Sequence, residues 1–274
     1  MRTNFAYYLI APFALLLLIC LYLAWEGDEQ YAIWAVPNLV IGSLLLVLSP
    51  QVNWWWYARN PPQLEPLVQK LLQMQVPFYQ SLDPKDQKRF RDRVALVRMA
   101  TDFSPMGLAE EKIPSDLQSA VSAQWVMVSW GSEGLLIPKY EKVILSPAGF
   151  MSPEHPFTHN SELFEKDQCL ILSAEAVMAA FMKPDAFFQV ALYEYARLFD
   201  RIKGIALPIS DEVATWQALE QVAGYTRAQI EGVIGIPESD LKAVAVHHFF
   251  QYRERFRVVL PEMAGALEVL FDAH

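Results

Sequence analysis

The chain has 274 residues, 53% of them hydrophobic, and its 22 Lys and Arg are outnumbered by 31 Asp and Glu, for a net charge of −9. That balance supplies no basic face for nucleic acid and argues against a domain spread over anionic lipid. Cys20 and Cys169 are too few for a disulfide framework and fit a reducing compartment.

The hydrophobic excess is concentrated at the start. FAYYLIAPFALLLLICLYLAW, Phe5 to Trp25, contains no charge, and at about 1.5 Å per residue it spans roughly 31 Å, enough to cross a bilayer core. The run is too long for the h-region of a cleaved signal peptide, and no small-x-small cleavage site follows it. After the turn EGDEQ comes YAIWAVPNLVIGSLLLVL, Tyr31 to Leu48, of roughly 27 Å on the same rise, with Pro37 and Asn38 at a place where a kink or a late helix start is tolerable. Trp54, Trp55, Trp56 and Tyr57 then suit an interfacial aromatic belt, core packing being the alternative. Residues 1–60 are thus expected to form a two-helix transmembrane hairpin whose partner is the lipid bilayer, and residues 61–274 a separate domain. The turn carries Glu26, Asp28 and Glu29 and no Lys or Arg, whereas Arg2 precedes the first span and Arg59, Lys70, Lys85, Lys88, Arg89, Arg91 and Arg93 follow the second. The positive-inside bias places both ends of the hairpin in the cytoplasm. Without the two basic and three acidic side chains of residues 1–60, the domain keeps 20 Lys and Arg against 28 Asp and Glu, a net of −8.

Asn60-Pro61-Pro62 is a stiff, extended break. Leu64 to Gln75 reads as a short amphipathic helix. Asp83 is a good N-cap with Pro84 at the first helical position, and Phe90, Val94, Val97 and Ala100 recur at helical spacing, with the many charges on a solvated face. Ile113 to Gly131 predicts a largely buried helix capped by Ser115 or Asp116. VIL within Tyr140–Phe150 and CLILS within Gln168–Val177 predict short strands, separated by a polar, turn-rich, exposed loop. A helix over SAEAVMAAFM follows, then a Pro-Asp break and a helix starting near Pro184, then helices over Glu212–Gly224, Thr226–Val233, Glu238–Tyr252 and Pro261–Phe271. The expected class is α+β, mainly helical, with a small sheet.

Within ALYEYARLFD, Ala191 to Asp200, a single acid, Glu194, is framed by Tyr193 and Arg197 one helical turn apart. That is the spacing of H-E-x-x-H, in which residues i and i+4 hold one zinc ion and the glutamate activates zinc-bound water. Alone, an acid in a helix means little. The surroundings add to it. From about Val76 to Phe271 the chain resembles the Mlc titration factor A family of bacterial zinc peptidases, which have a zincin-like fold. VPFYQSLDPKDQKRFRDRV is similar to the family's opening helices, with their F-x-x-R. SAQWVMVSWG and YEKVILSPAGF resemble its buried central helix and the strand reading Y-P-x-x-x-L-x-P. CLILSAEAV is similar to P-V-x-L-S-W, and VALYEYARLFDRIKG to V-x-H-E-F-A-H-x-L-D-x-x-x-G. AVAVHHFFQYRERFRVVLPEMAGAL is similar to the later helix A-V-x-S-E-x-F-F and a proline-broken final helix.

On this resemblance Tyr193 and Arg197 stand at the two zinc-histidine positions, Glu194 at the general-base position, and His247 at the third ligand, a glutamate in the family. A catalytic zinc takes three protein ligands and a water. Tyrosine is a rare ligand, and arginine keeps its proton and repels a dication. The resemblance therefore implies a metallopeptidase-like domain without zinc or any other cofactor, anchored in a bacterial inner membrane with the domain in the cytoplasm. It would act as a non-catalytic binding or scaffolding module for a protein partner, as the family's namesake binds a transcriptional repressor. In the alternative, Glu194 and His247 form an acid/base pair with Arg197 holding an anionic substrate, or residual zinc peptidase activity survives. Arg197 is expected to pair with Glu194 and, if buried, to stand in for the metal. His247 and His248 point about 100° apart on a helix, one toward the surface and one half-buried. His155 and His159 are separated by Pro156 and belong to the exposed loop. No Gly-x-Ser-x-Gly elbow or phosphate loop occurs, and Cys169 is expected to be a buried, inert thiol.

Overall fold

The computed structural model describes residues 5–27, 30–107, 112–137 and 139–272. Arg2, Asp28 and Glu29, used above to orient the hairpin, lie outside the described residues. The chain divides into two compact units, Met1–Pro62 and Gln63–His274.

In the first unit, α1 (Phe5–Trp25) packs along α2 (Gln30–Val47), and α3 (Ser49–Arg59) folds back on α1. Both α1 and α2 are long and apolar enough to cross a membrane. Leu15, Leu18 and Leu44 are more than half exposed, as lipid-facing side chains would be and as a soluble core would not allow. These helices point to membrane association. Pro37 neither kinks α2 apart nor delays its start, and the Asn38 amide bonds the Trp34 carbonyl one turn back at 2.8 Å. Trp54, Trp55, Trp56 and Tyr57 lie on α3, a helix that the hydropathy pattern does not announce. Trp55 is exposed, and Trp56 stacks on Phe5 at 4.0 Å.

The second unit is mostly helical around a small mixed sheet. It begins with α4 (Pro66–Gln75), α5 (Pro77–Ser81) and α6 (Pro84–Ala100). The Asp83 carboxylate caps α6 by accepting the Asp86 amide at 2.7 Å, and Pro84 supplies the preset φ of the first turn. One charge on α6 leaves the solvated face. Arg93 is buried and donates to the carbonyls of Trp130 and Ser132, both at 2.7 Å, while burial and the nearby Arg89 lower its pKa to about 10. β1 (Asp102–Pro105) precedes α7 (Ser115–Val128), whose N-cap is Pro114 without a side-chain cap bond; neither Ser115 nor Asp116 caps it.

β2 (Lys142–Ser146), β3 (Ser161–Phe164) and β4 (Cys169–Ser173) complete a sheet of order β1-β2-β4-β3, parallel except for the β3–β4 pair. Pro105 is tolerated because β1 is an edge strand. Alternation sends Val143, Leu145, Leu163, Leu170 and Leu172 into the helical core. Ile144, Phe164, Cys169 and Ile171 go to a smaller cluster with Phe150 on the opposite face. β3 corrects the expectation of an exposed loop, since all four of its residues are buried.

α8 (Ala174–Met182) starts at the Ser173 cap. α9 (Val190–Lys203) begins six residues after Pro184, later than expected. Then follow α10 (Glu212–Ala223), α11 (Arg227–Ile234), α12 (Leu241–Gln251), α13 (Arg253–Val259) and α14 (Pro261–Phe271). α9 is central, packing against α7, α8, α12 and strands β3 and β4.

Candidate functional site

The centre of the site is Glu194, fully buried on the face of α9 that meets β3. Its burial follows from the local sequence. Ala191, Leu192, Tyr195, Ala196, Leu198 and Phe199 are buried around it, so the helix has little surface to offer a carboxylate. Two donors satisfy it. The Ser161 hydroxyl donates to Oε1 at 2.9 Å, and the Arg197 guanidinium donates to Oε2 at 2.8 Å. Arg197 is held three residues along the helix and passes over the Tyr193 ring, 5.7 Å from its centroid. The Glu194 charge raises the Arg197 pKa further. The cation is partly buried, so this is an ion pair with one member in the core and the other reaching toward the surface.

Tyr193 is also buried, and its hydroxyl accepts the Asp240 amide at 2.9 Å. Asp240 is the N-cap of α12, its carboxylate accepting the Ala243 amide at 3.0 Å. Tyr193 therefore ties α9 to the start of α12. Burial, then the Glu194 charge, raises the phenol's pKa, so it stays protonated.

His247, on α12, is bound elsewhere. Its Nε2 accepts the Gln189 amide at 3.0 Å, its Nδ1 faces Nδ1 of His248 at 3.0 Å, and its ring stacks on Phe188 at 4.0 Å. This network sets the tautomers. With Nε2 occupied as an acceptor, the His247 proton sits on Nδ1 and is donated to His248, whose own proton is then on Nε2. Burial holds the pKa of His247 well below 6.5, and that of His248 is lowered to about 3, so both rings are neutral. The expectation of one surface and one half-buried imidazole is corrected. Both are fully buried because every residue of α12 from Ala243 to Phe250 is buried.

The structure thus brings Tyr193, Glu194 and Arg197 together on one helix face, while His247 joins a separate pair. The Phe188 ring touches both Tyr193 and His247, and no hydrogen bond joins His247 to Glu194 among the described residues. These residues do not fit a zinc ion. The Tyr193 hydroxyl is protonated and bonded, Arg197 is a cation, and both His247 nitrogens are committed. Among the described residues no group of three or more His, Cys, Asp or Glu side chains is arranged to hold a metal. No protein-family model matches the chain, and no curated protein matches it.

A second buried acid escaped the sequence reading. Glu162, next to Ser161 but on the other face of β3, lies 3.1 Å from Nε2 of His159 and 3.9 Å from Nε2 of His155. His159 is buried, its Nδ1 donating to the Phe157 carbonyl at 2.9 Å, and only His155 keeps part of the solvent contact expected of both. Gly235 makes this packing possible, because a Cβ there would lie 2.5 Å from the His159 Cα, and its φ of +85° suits glycine. Cys169 is buried, and burial raises its thiol pKa, as expected of an inert cysteine. Ser161 and Gln189 carried no sequence signal, since each reaches its partner across a long chain separation, whereas Asp240 is an N-cap that the expected helix start at Glu238 passed over.

Proposed function

We propose that this chain is a membrane-anchored, non-catalytic protein-binding or scaffolding module built on a metallopeptidase-like domain, held at a bacterial inner membrane with the domain on the cytoplasmic side. The single observation that carries the reading is the Arg197 guanidinium on the Glu194 carboxylate at 2.8 Å. In a zinc peptidase the glutamate at this place must be free to take a proton from metal-bound water. Here both carboxylate oxygens are engaged, one by a permanent cation, and the side chain is sealed from solvent. The arrangement suits a structural ion pair within α9, which the Ser161 hydroxyl ties to β3. The acid/base alternative draws less support, because His247 spends both ring nitrogens on Gln189 and His248. The anchor supports a role close to a membrane, where a binding domain gains effective concentration toward a partner in the same bilayer.

The test is metal analysis and a general peptidase assay on the detergent-solubilised full chain, purified without added zinc. The proposal expects substoichiometric zinc and no proteolysis that depends on Glu194. Stoichiometric zinc together with proteolysis abolished by Glu194→Gln would overturn it. Orientation is checked by proteolysis of spheroplasts, in which a C-terminal tag stays protected if the domain is cytoplasmic.

A further inference from the structure

Between Ala35 and Val47 the helix α2 carries two polar side chains, Asn38 and Ser43, among apolar residues and Gly42. At about 1.5 Å per residue, Asn38 lies roughly 12 Å from the Gln30 end of the helix and roughly 14 Å from the Val47 end. That is the middle of a hydrocarbon core about 30 Å thick. The Asn38 amide donates one proton to the Trp34 carbonyl. Its second N–H and its Oδ1 form no hydrogen bond among the described residues. The side chains of α1 cannot complete them, because from Leu9 to Leu21 they hold no oxygen or nitrogen. A carboxamide with a donor and an acceptor left open is costly in hydrocarbon, where no water replaces the missing partners.

The place of Asn38 on the helix shows where a partner has access. Tyr31, Ala35, Asn38, Gly42 and Leu45 are less exposed than their neighbours, recur at alternating spacings of four and three, and mark the seam against α1. One stripe over, Trp34, Asn38, Ile41, Leu45 and Leu48 follow the same kind of spacing, and here Trp34, Ile41 and Leu48 are exposed. Asn38 belongs to both stripes and is half-buried, so its amide lies at the border of the covered seam and the open stripe. At Gly42, one turn along, a Cβ would meet nothing within 4 Å, so a second backbone has room to approach.

The open groups select the occupant, because a carboxamide is its own complement. Across a two-fold axis the N–H of each copy faces Oδ1 of the other, and one contact satisfies both groups on both chains. A single asparagine in a heptad stripe fixes register and copy number in the same manner. We propose that α2 pairs with α2 of a second copy inserted in the same sense, the two Asn38 carboxamides hydrogen-bonded to each other at mid-membrane, with Trp34, Ile41 and Leu48 packed alongside. The inference rests on the membrane anchoring proposed above and is independent of whether the Glu194 site is catalytic.

The test is resonance energy transfer between donor- and acceptor-labelled full chains, reconstituted in phosphatidylcholine vesicles over a range of protein-to-lipid ratios. Transfer is expected to saturate as for a dimer. Asn38→Leu lowers the association constant about fivefold or more, whereas Asn38→Gln, which keeps a donor and an acceptor, retains most of it. Carbonate-washed cell membranes and far-UV circular dichroism verify that wild type and both variants are inserted and helical. Inserted wild type that shows no specific transfer at any density overturns the pairing alone. So does transfer that Asn38→Leu leaves unchanged. Release of wild type by the carbonate wash overturns the anchoring, and the pairing with it.

Discussion

The Glu194 carboxylate and the imidazoles of His247 and His248 are equally buried, on helices that pack against each other, yet they are stabilised by opposite means. Glu194 keeps a charged partner, with Arg197 on one oxygen and Ser161 on the other. The histidine pair has no charged partner in its hydrogen bonds; burial removes the charge itself, and one amide and one shared proton satisfy the facing nitrogens. The contrast shows which interactions the fold depends on. An ion-paired carboxylate is vulnerable to loss of its counter-charge, and a neutral histidine pair is vulnerable to protons.

The sharpest way to break the comparison is to remove the counter-charge. Arg197→Met keeps much of the side-chain bulk and leaves Glu194 buried beside a neutral neighbour, which should cost about 3 kcal/mol in denaturant unfolding. The double variant Arg197→Met/Glu194→Gln should recover most of that loss, because no bare charge remains. Equal stability of the single variant and wild type would mean that Arg197 does not hold Glu194. Next in size is the acid response of the histidines. The folded pKa of His248 is about 3, below the roughly 6.5 of an unfolded histidine. The unfolded state therefore binds more protons between these values, and stability is present above pH 6.5 and is lost as pH falls. For His248 the loss by pH 5 is roughly 2 kcal/mol, and His247, also depressed, adds in the same direction. Unfolding midpoints from pH 7.5 to 5 measure the slope, and His248→Gln should flatten it relative to wild type.

The two clusters also differ in how far the sequence revealed them. The Glu194–Arg197 pair follows from helical spacing, since residues three apart on α9 are neighbours whatever surrounds them. The same local logic gives the Asp83–Pro84 helix start and the span from Phe5 to Trp25. The histidine pair needs tertiary knowledge. Rings 100° apart cannot both face solvent or both face one neighbour, but α12 is enclosed on all sides, and then they can meet in the core. A signal for that existed in AVAVHHFF, which is apolar all round except for the two imidazoles. Pro184 misled in the opposite sense. Its preference for a first helical turn is local, whereas Phe188 and Gln189 are drawn out of the helix to stack on His247 and to donate to it. β3 was hidden because SELF places Ser161 against Glu194 and Glu162 against His159, so two of its four residues are polar and buried. No alternation rule anticipates a strand whose polar residues are buried on both faces, Ser161 by a partner on α9 and Glu162 by His159 just ahead of the strand.

The smallest expected effect concerns the second donor to Glu194. Ser161→Ala removes one hydrogen bond from Oε1 but leaves Arg197 in place, so the carboxylate keeps its counter-charge and loses only a neutral donor. A loss of about 1 kcal/mol in denaturant unfolding is expected. The informative comparison is between backgrounds. In the Glu194→Gln chain the side-chain oxygen is uncharged, and a hydrogen bond to a charged acceptor is stronger than one to a neutral acceptor. Ser161→Ala should therefore cost less there than in wild type. An equal cost in both backgrounds would show that Ser161 acts through packing between β3 and α9, and would leave Arg197 as the sole group stabilising the buried carboxylate.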